Sequence, residues 1–389
     1  MSPHTPLDSL NSNKRLQSLD VFRGATIAAM ILVNNPGTWN AVYPPLLHAE
    51  WHGWTVTDLI FPFFLFIVGV SVVLAFTKAL AKGATNKGLL KKAFQRSAII
   101  FGLGLILSGF PFFTFTPSFG LHETLTEIRI MGVLQRIALC YLAASVMFLY
   151  LHTRTIVYSI ATILLAYWAL MTLVPVPGYG AGLIDDPHAN LAAYLDRMIL
   201  TENHLHLDSY DPEGLLSTFT AIATTLLGVI TGTILMKSCQ PAEKTLYFFL
   251  WGFALVCLGH VWDWFFPVNK YIWTSSYVVL SGGIGMMMFG LCYWLIDIRG
   301  YKRFTRPFLV YGVNPLTVFF MSSIIAQSLF YYHITLGGEE MPLQKAIFET
   351  LFLPLASEIN ASLLFAITWI VLWYFVLSYM YKKKIFLKV

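Results

Sequence analysis

Apolar positions along this chain come in long runs rather than in alternation. Ten runs are long enough to cross a bilayer as helices: 19–35, 57–80, 89–110, 131–151, 155–174, 215–236, 245–265, 272–296, 307–330 and 361–381. A crossing helix needs about 20 apolar residues. In lipid only helices and closed barrels satisfy their own backbone, and runs of this length mean helices. The expected fold is an all-α polytopic membrane protein with about ten transmembrane helices. Composition agrees: 57% of the 389 residues are hydrophobic and 12% are charged, and the mean hydropathy is +0.67. A single domain over 1–389 is expected, with outer loops at 36–54, 111–130, 175–214 and 331–360. Within the loop at 175–214 a short helix is expected at 189–200, flanked by Pro, Gly and Asp turns.

Charge then sets the orientation. With both termini cytoplasmic, only Arg129, Arg136, Arg197, Lys270 and Lys345 of the 25 Lys and Arg fall outside. The positive-inside rule therefore favours this topology. Of the 20 acidic residues, 16 fall on the outer side. Residues 1–17 carry no cleavage pattern of a secretory signal, so the first span is expected to remain as a helix. The net charge of +5 sits mainly at the inner rim. Topology accounts for it, and nucleic acid is not expected as a partner. The four cysteines read as small apolar filler.

Polar residues interrupt this pattern at a few places. The stretch 48–69, HAEWHGWTVTDLIFPFFLFIVG, sets His48, Glu50, Trp51, His52 and Trp54 against the start of the second run. The first run ends in Asn34 and Asn35, fourteen residues before His48. Ionisable groups at a bilayer face are costly, so a functional site is the default reading. Histidine exchanges a proton near neutral pH and attacks activated acyl carbons. An amide N–H, here from Asn34, stabilises a developing oxyanion. A metal reading of His48-x-Glu50-x-His52 has two ligands and lacks the rest, so no metal is expected. Arg136 lies inside a span and must face protein or water. Asp211 and Glu213 precede the sixth run, where carboxylates partner a helix dipole or meet a cationic amine or sugar hydroxyls. Asp20 and Arg23 share a face of the first helix. Asn314 and Pro315 interrupt the ninth run. At the inner rim Arg15, Arg23, Arg96, Lys382 and Lys383 can gather round a polyanion or contact lipid phosphates.

Six blocks in order resemble one known family. They are LQSLDVFRGATIAAMILVNN, HAEWHGWTVTDLIFPFFLFIVGVS, RIMGVLQRIALCY, YDPEGLLSTFTAI with LLGVITG, VNKYIWTSSYV and YKKKIFLKV. Together they are similar to the membrane domain of the heparan-alpha-glucosaminide N-acetyltransferase family, from about residue 15 to the end. The lysosomal member carries a luminal region and a further span ahead of this domain, which the chain is expected to lack.

The resemblance implies an acetyl-CoA-dependent N-acetyltransferase. Members move acetyl from cytosolic acetyl-CoA to a glucosamine amine across the membrane. It implies His48 as base or acetyl carrier, through HAEWHGWT, and Asn34 as oxyanion donor, through the VN ending the first run. It places the GVLQR arginine at Arg136. His52 departs from the asparagine of the lysosomal member, which implies an altered acceptor pocket. Trp51, His52, Arg136, Asp211 and Glu213 are expected towards the acceptor. Arg15, Asp20, Arg23, Arg96, Asn314, Lys382 and Lys383 are expected towards coenzyme A. A homodimer is common in the family, and membrane lipids are expected neighbours. If the chain is bacterial, it belongs in the inner membrane with the site towards the periplasm. Two alternatives stay open: a transporter for amino sugars or related saccharides, and an O-acyltransferase with another acceptor. Transporters often pair broken helices across a repeat, and only the Asn314–Pro315 break is visible in the sequence.

Overall fold

The computed structural model describes residues 16–114, 119–207 and 209–386. Every one of the ten apolar runs falls on helix. In chain order the helices and hairpins are α1 (Gln17–Asn34), α2 (Ile60–Ala81), α3 (Asn86–Ser108), β1 (Phe113–Thr114), β2 (Gly120–Leu121), α4 (Glu123–Thr126), α5 (Val133–Tyr150), α6 (Thr153–Leu173), α7 (Leu191–Leu200), α8 (Leu215–Leu235), α9 (Pro241–Asp263), α10 (Ser275–Cys292), α11 (Arg306–Val313), α12 (Pro315–Tyr331), β3 (His333–Leu336), β4 (Glu339–Pro342), α13 (Leu343–Ile347) and α14 (Glu358–Lys382). The only sheets among the described residues are the antiparallel hairpins β1–β2 and β3–β4.

Local chemistry explains the boundaries. Thr85 caps α3 by accepting from the Gly88 N–H at 3.2 Å, and Asn190 caps α7 through the Ala193 N–H at 3.0 Å. Such caps satisfy N–H groups that the first helical turn leaves without partners. Pro241 and Pro315 open their helices, where the missing N–H is harmless. The helix expected at 189–200 is α7.

Seven helices are long and apolar enough to cross a membrane, or eight if α11 and α12 count as one broken crossing. Of the ten expected crossings, α1 and α3 fall short of that test. Asp20 and Arg23 dilute α1, and Lys87, Lys91, Lys92 and Arg96 charge α3. The break in the ninth run is larger than a kink. Asn314 leaves helical geometry (φ −123°, ψ 53°), and α12 departs from α11 at 82°. Pro315 cannot donate to the preceding turn, which lets the chain break there.

The centre of the bundle is α2, α8 and α10. Helix α8 buries 72% of its most apolar stretch and α2 67%, whereas α9 buries 22%. Helices α6, α9 and α14 therefore form an outer ring. At the centre, α2 and α8 meet backbone to backbone. A Cβ on Gly228 would lie 2.0 Å from the Phe66 carbonyl oxygen, and one on Gly69 1.9 Å from that of Thr225. Small residues permit such contact in membranes, where packing replaces the hydrophobic drive. Buried threonines on α8 donate to their own helix, as Thr231 does to Leu227 at 2.9 Å. A larger side chain at Gly228 should force α2 and α8 apart. Gly228→Val is expected to lower stability by about 1–3 kcal/mol, the usual range for overpacking. Unfolding in mixed detergent measures this, and an unchanged midpoint would contradict the contact.

Candidate active site

The segment that carries His48 runs without α-helix from the end of α1 to the start of α2. Two 3₁₀ turns lie in it, Pro44–Leu46 and Thr57–Leu59, and Gly53 turns it with φ 90°. The sequence Thr55-Val56-Thr57-Asp58 then supplies one half of a capping box: the Asp58 carboxylate reaches back to the Thr55 N–H at 2.9 Å, as the acidic partner in such a box does, while the Asp58 N–H donates to the Thr55 carbonyl at 3.1 Å. The same oxygen accepts from the Ala49 N–H at 3.0 Å. The second oxygen lies 2.6 Å from His48 Nδ1. Asp58 is 1% exposed and His48 38% exposed at their side chains. An ionised carboxylate only accepts, so the proton between them sits on Nδ1, and Nε2 faces away from Asp58.

A second element meets this pair from far along the chain. Residues 264–274, between α9 and α10, form a tight turn. Asn269 accepts from the Ile272 N–H at 3.1 Å and donates to Thr274 at 3.0 Å, and Trp273 sits in the left-handed region at φ 49°. This turn sets Lys270 Nζ 3.0 Å from each ring nitrogen of His48 and 3.8 Å from Asp58 Oδ1. Burial holds the Lys270 ammonium below the ordinary lysine range, while Glu213 and Asp58 pull it back up. From α10, the Tyr277 hydroxyl donates to the Asp58 carbonyl at 2.5 Å.

Aromatic side chains stand beside this cluster. Trp51 stacks on Tyr271 at 5.6 Å and 12°, and meets Tyr210 edge-on at 5.5 Å. Its Nε1 donates to the Ile184 carbonyl at 3.0 Å. His52 pairs with Asp185 at 2.8 Å and lies 3.4 Å from Asn269. The 175–214 loop thus supplies Ile184, Asp185 and Tyr210 to the surroundings of Trp51 and His52.

The expected acceptor carboxylates are bound within the protein. Arg129 grips Asp211 in a fork, at 2.8 Å through Nε and 2.6 Å through Nη2, and also donates to Glu213. Burial pushes the Glu213 carboxyl up, but Arg129, Arg136 and Lys270 outweigh it and hold it below its usual range. Arg136 is fully buried. It donates to the Gly214 carbonyl at 3.1 Å and to Ser217, and lies over Trp273 at 5.0 Å. The hydrogen-bonded partner of Asp211 and Glu213 is therefore Arg129, while Arg136 acts on Glu213 through its charge alone.

The remaining residues singled out in the sequence lie elsewhere. Asn34 is the exposed last residue of α1. It lines a cavity of about 180 Å³ with Met30, Phe319, Ser322 and Gln327. Among the described residues no hydrogen bond joins Asn34 to His48. Arg23 bonds Ser71 at 2.9 Å, the Gly312 carbonyl at 3.3 Å and Asp20 at 3.4 Å. Asn314 donates to the Ile385 carbonyl at 3.0 Å, which ties the chain after α14 to the elbow between α11 and α12. Lys382 and Lys383 are exposed at the end of α14. Arg96 is exposed on α3, over the Tyr141 ring of α5 at 5.2 Å. Arg15 lies outside the described residues. The sequence reading passed over Asp58, Lys270, Arg129 and Tyr271. The T-x-x-D box ahead of an apolar run was a signal for Asp58; local sequence held none for the other three.

The sequence model of the family described as heparan-alpha-glucosaminide N-acetyltransferase, catalytic, matches residues 15–259. The chain belongs to that family. The heparan-alpha-glucosaminide N-acetyltransferase of Mus musculus is 29% identical over 437 residues, which cover 99% of this chain and 62% of that protein. The one of Homo sapiens is 32% identical over 356 residues, 78% of this chain and 52% of that protein. The chain thus spans between half and two thirds of the length of these relatives. The resemblance carried by the six blocks is borne out. The family match takes in His48, Asp58, Arg129 and Glu213, and stops short of Lys270.

Two outcomes follow from the charges around the site. Arg129→Ala strands two buried carboxylates, and breaking such a pair costs about 3–5 kcal/mol. A loss of that size in detergent unfolding is expected, and an unchanged midpoint would contradict the pairing. Asp196 on α7 is buried, which raises its carboxyl from 3.8 to about 7, even though it accepts from the Leu215 N–H. An acid raised in the folded state holds its proton more tightly there than in the unfolded chain. Its ionisation therefore lowers stability progressively as pH climbs from about 4 to about 7. Measured against Asp196→Asn, the wild type should lose stability across that window. Parallel curves for the two proteins would disprove it.

Proposed function

We propose that this chain is a transmembrane N-acetyltransferase. It moves acetyl from cytoplasmic acetyl-CoA to the amine of a glucosamine-type sugar on the opposite face. Its helices make ten crossings, with both termini inside. The carrying observation is the His48–Asp58 pair, 2.6 Å apart, in a chain whose relatives are named heparan-alpha-glucosaminide N-acetyltransferases. Asp58 fixes the ring and its tautomer, as the carboxylate of a catalytic triad does. Nε2 is then free to take the proton that the acceptor amine must lose.

The step balances simply. The amine nitrogen attacks the thioester carbon, the C–N bond forms, and the C–S bond breaks. His48 takes the proton from nitrogen, and the thiolate leaves with coenzyme A. In the second route His48 Nε2 attacks first and carries the acetyl group to the amine. Asn34 is the oxyanion donor in this reading. Trp51 and His52 border the acceptor, with Asp211 and Glu213 behind them, while Arg136 supports the floor through Gly214. The carrier enters from the inner side, towards Arg23, Arg96, Asn314 and Lys382. Coenzyme A bears several charges, so presenting only a thin thioester arm part-way across avoids moving charge through lipid.

Proteoliposomes with acetyl-CoA inside and labelled glucosamine outside test this. Wild-type protein should yield acetylated sugar outside. His48→Ala should abolish it, and Asp58→Asn should lower the rate by about 10²–10⁴, the usual worth of positioned acid–base catalysis. Full acetylation by a well-folded His48→Ala protein would refute the assignment. Unmodified sugar accumulating inside would point to the transporter instead.

A further inference from the structure

Lys270 has an unusual position relative to the His48 ring. Its Nζ is 3.0 Å from Nδ1 and 3.0 Å from Nε2. A point equidistant from both nitrogens cannot lie along either lone pair; it stands over the ring. Hydrogen bonds at such angles are weak, so Lys270 acts on His48 through its charge. The Nε2 lone pair stays open.

We propose that Lys270 is a positioning residue that keeps the His48 ring uncharged, so that Nε2 remains a competent proton acceptor. The inference rests on the reading of His48 as the base. The physical need comes from Asp58. A buried carboxylate 2.6 Å from Nδ1 favours the doubly protonated ring. A ring in that form accepts no further proton. A cation over the ring opposes this, because like charges so close cannot both be held without cost. Asp58 then orients the ring while Lys270 opposes its pull on the second proton.

Other charged and titratable groups surround the pair, among them His206 ahead of α8 and Arg136 on α5, both within electrostatic reach of Lys270. Glu50 and His52 belong to the same segment, and His52 is engaged by Asp185. The start of α2 contributes Asp58. The turn between α9 and α10 contributes Lys270 and Tyr271. The segment before α8 contributes Asp211 and Glu213, both held by Arg129. Lys270 is the cation in contact with the ring.

Modification of His48 by diethyl pyrocarbonate tests this without relying on turnover. Purified full-length protein is reacted between about pH 5 and 8, where histidine titrates, and His48 is followed by peptide mass spectrometry. In Lys270→Met the pH midpoint of reactivity should rise by about one unit, so that labelling on the acid side falls about tenfold. Lys270→Arg should keep the wild-type midpoint, and Asp58→Asn should lower it. Acetyl transfer by Lys270→Met should fail at acid pH and recover at alkaline pH. If Lys270→Met does not fold, Lys270→Gln carries the same expectation. A midpoint unmoved by loss of the charge overturns the proposal. A moved midpoint in a protein whose wild type transfers no acetyl supports the role of Lys270 and overturns His48 as the base.

Discussion

A buried carboxylate at the start of a membrane helix has to be satisfied, and the segment between α1 and α2 is arranged round that requirement. Asp58 accepts from the Thr55 and Ala49 N–H groups and from His48. Hydrogen bonds to a charged group are worth about 1.5–3 kcal/mol each, and leaving such a group unsatisfied costs more. The bonds fold the segment before α2 back onto its own helix end. They also fix His48, because the ring completes the set. The geometry that solves the problem of a buried charge is the geometry that orients the imidazole.

An arginine–carboxylate cluster repeats this logic on the segment before α8. Arg129 binds Asp211 and Glu213, and Asp211 in turn accepts from the Glu213 N–H at 2.8 Å. The fork locks the entry to α8. Below it, Arg136 bonds Gly214 and lies on Trp273, whose indole donates to Thr224 at 3.1 Å. The start of α8 is thereby joined to the turn that carries Lys270. Helix α8 also packs against α2 through glycine. The two elements that frame His48 are thus held by the same central helix, so the site is built on the rigid middle of the bundle.

Much of this was legible in the sequence because lipid is a demanding solvent. Each crossing helix needs a long apolar run, and all ten runs became helices. His48 and Trp51 stood out because polar and aromatic groups at a span boundary need a reason to be there. The Asn314–Pro315 pair announced a break, since proline cannot continue the ladder. Its angle of 82° was not legible, because it depends on what α11 and α12 pack against. Asp211 and Glu213 were visible as acids, yet their partner lies more than 80 residues earlier in the chain.

The sequence by itself determined the helical class, the apolar runs that became helices, and the histidine set beside the start of α2. Those depend on neighbours within a turn or on the solvent the helix meets. Only the tertiary structure decided that Lys270, 222 residues away, stands over the His48 ring, that Arg129 pairs with both Asp211 and Glu213, and that Asn34 lines a cavity against α12. Charges separated so widely along a chain meet only when packing brings their helices together, and no local pattern encodes where that will be.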